Sequence, residues 1–452
     1  MTASDAAQPT PPLPRSWRET LLVYLQPRVL IVMFLGFASG LPLALSGSTL
    51  QVWASENGVS LQTIGLFTLV GTPYAFKFLW APLIDGVSVP LLTNWLGRRR
   101  GWLVLSQLLL MAAILALALT DPARSPLMVA FGALMVATAS ATQDIVIDAF
   151  RVESLAEDEQ AAGMASYVAA YRVGMVVSTA GALFLVTGFE HVGFVKLVAW
   201  QASFAVMAAL VLIGIVTVLV AHEPAQSRLT EVAADGAQMA RRVAEAAVGS
   251  FREFFSQRDA LVVLLFVMLF KFTDAFAGAM TVPFIIDVGF TRNDYAIIVK
   301  GVGLAATLIG GFAGGFIARA LPLGACLWIG GILQAVSNLT FAWLALIGPQ
   351  QWALTVAVTV EQFTGAIGTV IFVAYLSALC NNPLHTATQY ALLTALASVG
   401  RIYLSASAGY VAQASGWPMF FVISVVVAVP SLLLLAWLQR RGHFTSLAEK
   451  AG

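Results

Sequence analysis

The sequence is short of charge. Asp, Glu, Lys and Arg make up 10% of its 452 residues, against about 25% in a soluble domain, so most of its surface does not face water. The formal net charge of +1 excludes the basic surplus of a nucleic-acid-binding chain. Only two cysteines are present, Cys326 and Cys380, in or at the ends of apolar stretches. They form neither a disulfide framework nor a thiolate metal site. The four histidines, His191, His222, His385 and His443, fall at segment ends or in loops, which argues against a histidine-based catalytic or zinc centre. No cofactor, no metal and no catalytic residues are expected. The opening stretch MTASDAAQPTPPLPRSWRE lacks the charged start, apolar core and small-residue cleavage site of a signal peptide. It reads as a flexible cytoplasmic tail.

What is present is apolar sequence, 59% of the chain. A membrane-spanning helix needs about 20 mostly apolar residues. Twelve such segments are expected, near 29–52, 61–82, 101–120, 126–150, 161–186, 195–220, 260–284, 294–317, 322–347, 351–379, 386–412 and 417–438. The longest polar connection divides them six and six. The chain therefore reads as a tail (1–28), a first bundle (29–220), a cytoplasmic linker (221–259), a second bundle (260–438) and a short tail (439–452). The linker carries the amphipathic run RRVAEAAVGSFREFF, which suits a helix lying on the membrane surface. Arginine and lysine crowd one side, at Arg15, Arg18, Arg28, Arg98 to Arg100, Arg151, Arg241, Arg242, Arg440 and Arg441, while the other side holds only Arg124, Lys196 and Arg292. By the positive-inside rule the crowded side, with both termini, is cytoplasmic.

The halves resemble each other. NGVSLQTIGLF (57–67) and VGFTRNDYAII (288–298) open segments 2 and 8, and Arg172 and Arg401 recur at nearly the same offset. Such repeats mark secondary transporters, whose substrate site lies between the halves.

A charged side chain at the bilayer centre costs at least roughly 2.5–3.5 kcal/mol, so interior charges point to function or to a partner. They are Lys77, Asp144, Asp148, Arg172, Lys271, Asp274, Lys300, Glu361 and Arg401. Segments 3, 6, 9 and 12 carry none in their interiors and can face lipid, the pattern of the all-α major facilitator fold: two six-helix bundles around a wet cavity. In segment 1, GFASGLPLALSGSTL, the residues Gly36, Gly40 and Pro42 weaken the helix and are expected to break it or to pack it closely. The loop APLIDGVSVPLLTNWLGRRRGW sets Asp85 before Arg98 and Arg99, resembling the major facilitator loop motif with a longer spacer. It reads as a cytoplasmic gate latch or as plain positive-inside anchoring.

Taken in order, FLGFASGLPLAL, QTIGLFTLVGTPYAFKFLWAPLID, GRRRGW, SATQDIVIDA, YRVGM, KFTDAFA and HTATQYALLTALASVGRIY closely resemble the AmpG family of muropeptide permeases, from about residue 26 to 438. The resemblance implies a multi-pass protein of the bacterial inner membrane; a monomer in the lipid bilayer is expected. It implies import of anhydromuropeptides, with or without peptide, driven by the proton motive force. It also implies a part in peptidoglycan recycling and so in β-lactamase induction. Some members carry further C-terminal hydrophobic segments; the sequence read here stops shortly after segment 12.

That cargo offers hydroxyls, amides and carboxylates. Arg172, Arg401 and Lys271 suit its carboxylates, arginine through a bidentate fork. Gln143, Gln362, Asn338 and Thr273 suit hydroxyls and amides, and Trp53 and Tyr167 suit sugar faces. Lys77, Asp274 and Glu361 complete the expected binding set. Lys271 and Asp274 sit roughly 17 to 21 Å along segment 7, three residues apart, and can pair. Asp144 and Asp148 share a helix face and are expected to couple transport to protons, Asp148 also as a gate beside Arg151. The bland alternative is static pairing of Asp144 with Arg172 and of Asp148 with Arg151. Rival functions are a related carrier for another polar solute such as acetyl-coenzyme A, a non-transporting muropeptide receptor, and an enzyme acting on lipid-linked sugars. The last lacks any metal-ligand cluster or large acidic loop.

Overall fold

The computed structural model describes residues 22–156, 159–224, 259–379 and 386–451. Residues 1–21 of the opening tail, nearly all of the linker with its amphipathic run, Cys380 and His385 lie outside them, as do the side chains of Asp85 and Lys450. Among the described residues the chain is helical, and ten helices are long and apolar enough to cross a membrane. These are α1 (Pro27–Glu56), α3 (Arg98–Ala118), α4 (Pro126–Ser154), α5 (Ala162–His191), α6 (Lys196–Val220), α7 (Ala260–Val288), α8 (Arg292–Ala320), α9 (Leu323–Ile347), α10 (Gln351–Leu379) and α12 (Trp417–Arg440). The remaining two segments are interrupted. In α2 (61–86) the short helices Leu61–Leu66, Thr72–Phe76 and Ala81–Gly86 are joined by 3-10 turns. In α11 (386–415) the helix Thr386–Val399 passes through a π turn, Gly400–Leu404, before Ala408–Ser415. A last helix, α13 (His443–Ala451), follows α12.

Packing repeats between the halves. The first half sets α1 on α5, α2 on α4, α3 on α4 and α3 on α6; the second sets α7 on α11, α8 on α10, α9 on α10 and α9 on α12. Each partnership recurs six helices on, in keeping with the weak internal likeness of the sequence.

Glycine makes the α1–α5 crossing. A Cβ on Gly40 would collide with the Tyr171 backbone carbonyl, and one on Gly36 would press on Tyr167. The helix therefore runs unbroken through both glycines, and they serve close approach. The irregularity falls just beyond Pro42, whose ring removes a backbone donor. It takes the form of a π turn, Leu45–Thr49, where Thr49 Oγ1 donates to the Ser178 carbonyl in a matching π turn of α5, Val177–Gly181.

The apolar core is distributed unevenly along the bundle. Away from the termini, Leu50 and Trp53 of the first half share one buried cluster with Phe276, Met280, Phe284 and Tyr295 of the second. Toward the end that carries the termini the buried residues separate. Leu35, Ile84, Leu103 and Phe150 cluster in the first half, and Phe266, Phe270, Ile371 and Tyr375 in the second. The halves are thus joined at the far face and have separate cores at the terminal face. On one seam α2 meets α11: Thr68 Oγ1 donates to the Ile402 carbonyl at 3.1 Å, and the Thr72 and Tyr403 hydroxyls lie 3.2 Å apart. On the other, the π turns of α5 and of α8 (Tyr295–Val302) pack together.

Candidate functional site

Between the halves lies a cavity of about 150 Å³, lined by Arg172 and Thr179 of α5, Lys300 and Thr307 of α8 and Gln362 of α10. Arg172 and Arg401 are both exposed. Arg172 lines this cavity from α5, and Arg401 lies in the π turn of α11 in the opposite half. The repeat of arginines seen in the sequence thus falls on matching helices of the two halves, α5 and α11.

In the first half, Asp144 is half-buried on α4. Ser39 Oγ of α1 donates to its Oδ1 at 2.6 Å and lies 2.9 Å from the Tyr167 hydroxyl. Tyr167 stacks on Tyr171 with ring centroids 6.2 Å apart. Asp148, one turn on, faces Lys77 of α2, whose Nζ is 3.6 Å from Oδ2, and half of its side chain is exposed. The static pairs Asp144–Arg172 and Asp148–Arg151 are therefore not the ones formed: a hydroxyl and Lys77 take those places. Lys77 reaches Asp148 because α2 breaks into a 3-10 turn at that residue.

The second half carries a parallel group. Lys271 stands at a one-residue interruption of α7, where it donates to Asp274 Oδ2 at 2.9 Å and to Thr369 Oγ1 of α10 at 3.0 Å. The pairing expected from the i,i+3 spacing is present. Asp274 Oδ1 and Glu361 Oε1 both lie within 4.0 Å of where a Cβ on Gly365 would sit, so that glycine opens the gap the two carboxylates flank. Gln362 Nε2 donates to Glu361 Oε2 at 2.8 Å, and Gln362 Oε1 accepts from Thr307 at 2.9 Å.

Several expected ligands turn away from the cavity. Gln143 is fully buried and donates to the Ala38 carbonyl, tying α4 to α1; one helix position, about 100° of rotation, separates it from Asp144. Asn338 and Thr273 are buried among α7 and α9, and Trp53 is enclosed against Trp200 and Phe204. At the terminal face, Arg99 is buried and binds Glu153 with Nε and Nη2, the latter at 2.6 Å. The backbone N–H groups of Arg99 and Arg100 donate to Glu223, and the Arg100 side chain donates to the Val218 and Leu219 carbonyls. The arginine cluster thus clamps the ends of α4 and α6 within the first half. Ser39, Thr369, Glu153 and Glu223 carry no sequence signal: a serine in a small-residue run and a glutamate at a helix end are unremarkable until their partners are in place.

Two repeated six-helix bundles around a charged central cavity define a secondary transporter, a multi-pass membrane protein and not an enzyme. The model of the Major Facilitator Superfamily matches residues 32–403. The chain is 41% identical to the Anhydromuropeptide permease of Escherichia coli strain K12, over 95% of this chain and 83% of that protein. It is 33% identical to a Rickettsia felis transporter bearing the AmpG name, over 92% and 97%. Among solved structures it resembles the nucleoside transporter NupG (TM-score 0.62, 13% identity, 93% of this chain and 98% of that one) and a POT family transporter in complex with a conjugated peptide (TM-score 0.64, 12% identity, 91% and 96%); these likenesses show the fold. The chain belongs to the major facilitator superfamily and, within it, to the AmpG-type permeases.

Proposed function

We propose that this protein imports anhydromuropeptides across the bacterial inner membrane by alternating access, coupled to protons, for peptidoglycan recycling. The carrying observation is the 41% identity to a permease named for that cargo. The site supports it: Arg172 and Arg401 present two guanidiniums from opposite halves, suited to the carboxylates of a peptide-bearing sugar. Lys300 and Gln362 line the same cavity, with Lys271, Asp274 and Glu361 in the adjoining ion cluster.

In this reading the terminal face is cytoplasmic, as the arginine distribution favours. A bundle joined at the far face and separated at the terminal face is then inward-facing. Asp144 carries the coupling proton: it lies in an apolar helix, is held by Ser39 without a direct ion pair among the described residues, and has Asp148, paired to Lys77, one turn away. Proton binding to such a group is set by its surroundings, and rocking of the halves changes them. Asp148, Lys77 and Arg151 form the gate beyond it. The two bundles, 29–220 and 260–438, are the rocking bodies.

Uptake of labelled anhydromuropeptide into proteoliposomes, with and without an imposed pH gradient, tests this. Accumulation only when the far side is more acidic is the expected result. Counterflow by acetyl-coenzyme A but not by muropeptide would replace the cargo, and binding without accumulation would make the protein a receptor.

A further inference from the structure

We propose that Arg292 latches the far face shut by an ion pair between the halves, and that Lys196 weakens this latch by competing for the same carboxylate, Glu56. The proposal rests on the alternating-access reading and is independent of the cargo.

Arg292 opens α8 in the second half. Its Nε donates to Glu56 Oε1 at 2.7 Å, at the end of α1, and Nη1 lies 3.2 Å from Glu190 Oε2 in α5. The guanidinium sits 5.7 Å from the Trp200 ring centroid of α6. Only 13% of the Arg292 side chain and 11% of the Glu56 side chain are exposed, so salt screens this pair less than an open surface pair. The next residue, Asn293, accepts from Thr187 Oγ1 at 3.0 Å. Two successive residues of α8 therefore grip the first half.

Glu56 has further donors, and they belong to its own half. Lys196 Nζ donates to the Glu56 carbonyl at 2.6 Å and lies 3.9 Å from Oε2. Trp200 Nε1 donates to Oε2 at 3.3 Å. When the halves part at this face, Arg292 leaves with α8, while Lys196 and Trp200 stay beside Glu56. A carboxylate with a resident cation loses less on giving up a second one than a carboxylate with none. Lys196 thereby makes the latch reversible. The two cations on Glu56 act on the conformational equilibrium with opposite sign: removing Arg292 favours opening, and removing Lys196 makes Glu56 depend on Arg292 and favours closure. A merely structural cluster would loosen whichever member was lost.

The test is cargo-free. Met175, which lines the central cavity, is replaced by cysteine in the full-length chain lacking Cys326 and Cys380. The protein is reconstituted with the far face outward and exposed to a membrane-impermeant thiol reagent. The labelling rate follows the population open at that face. Arg292→Gln is expected to raise the rate at least about five-fold, the upper end of the range for exposed ion pairs, and Lys196→Gln to lower it by up to about five-fold. Glu56→Gln should also label faster than the parent, though less than Arg292→Gln because Glu190 still holds Arg292, with no further effect of Lys196→Gln in that background. Thermal unfolding of each variant checks that it is folded. Faster labelling in Lys196→Gln, or an unchanged rate in a folded Arg292→Gln, overturns the proposal.

Discussion

Ser39 and Asp144 join α1 to α4 through a 2.6 Å hydrogen bond in which the serine hydroxyl donates. The carboxylate is thus met by a neutral donor, and the nearby cation, Lys77, pairs with Asp148 instead. A hydroxyl supports a carboxylate or a carboxylic acid equally well, since it can donate or accept. Fixed contact with a guanidinium would hold only the ionised form.

Asp144→Asn is accordingly expected to abolish accumulation against a gradient while cargo exchange at equal concentrations persists. Uptake in proteoliposomes should fall at least about ten-fold under a pH gradient, and the remaining flux should no longer depend on external pH. Normal accumulation by this variant would remove Asp144 from coupling.

Arg172→Lys and Arg401→Lys keep the charge but lose the planar fork. Each is expected to weaken cargo binding about ten-fold or more, the scale of a charge-assisted bidentate contact, as measured by competition binding. Cysteines placed singly at these positions should react with small aqueous thiol reagents, because both side chains are exposed. Protection of both in every conformational state would place them in dry structural pairs.

Lys271 holds Asp274 and Thr369 at once. If it turns to a cargo carboxylate when the site fills, Lys271→Ala should reduce transport of peptide-bearing muropeptide more than that of the peptide-free disaccharide. Competition uptake with both ligands reads the difference. Equal losses would mark the Lys271–Asp274 pair as static.

Gly40→Ala tests the fold and not the chemistry. The added methyl would meet the Tyr171 backbone, which cannot move as a side-chain end can. Overpacking of this kind costs about 1–3 kcal/mol. A lowered unfolding temperature in detergent is expected, together with reduced transport, since the crossing also positions Tyr167 on the Ser39 hydroxyl that holds Asp144. Gly278→Ala, with open space around its position, should be mild by comparison.

The sequence by itself determined the membrane class, the two-bundle fold and the list of interior charges. Those follow from run length, composition and the penalty for ions in hydrocarbon, all local along the chain. It also allowed the Lys271–Asp274 pair, because i,i+3 neighbours on a helix are within reach of each other, although Asp148 and Arg151, spaced alike, do not pair because Lys77 takes Asp148. Partners drawn from different helices were decided only by tertiary structure. Whether Asp144 meets Arg172 or Ser39, whether Gln143 faces the cavity or α1, and whether Arg99 finds Glu153 depend on how the helices are rotated and where they cross. The crossing of α1 and α5 is set by Gly36 and Gly40, and the reach of Lys77 by the 3-10 turn in α2. The far-face contact of Arg292 with Glu56 spans 236 positions of sequence. No local pattern encodes such a pair, because only the packing of one half against the other brings its members together.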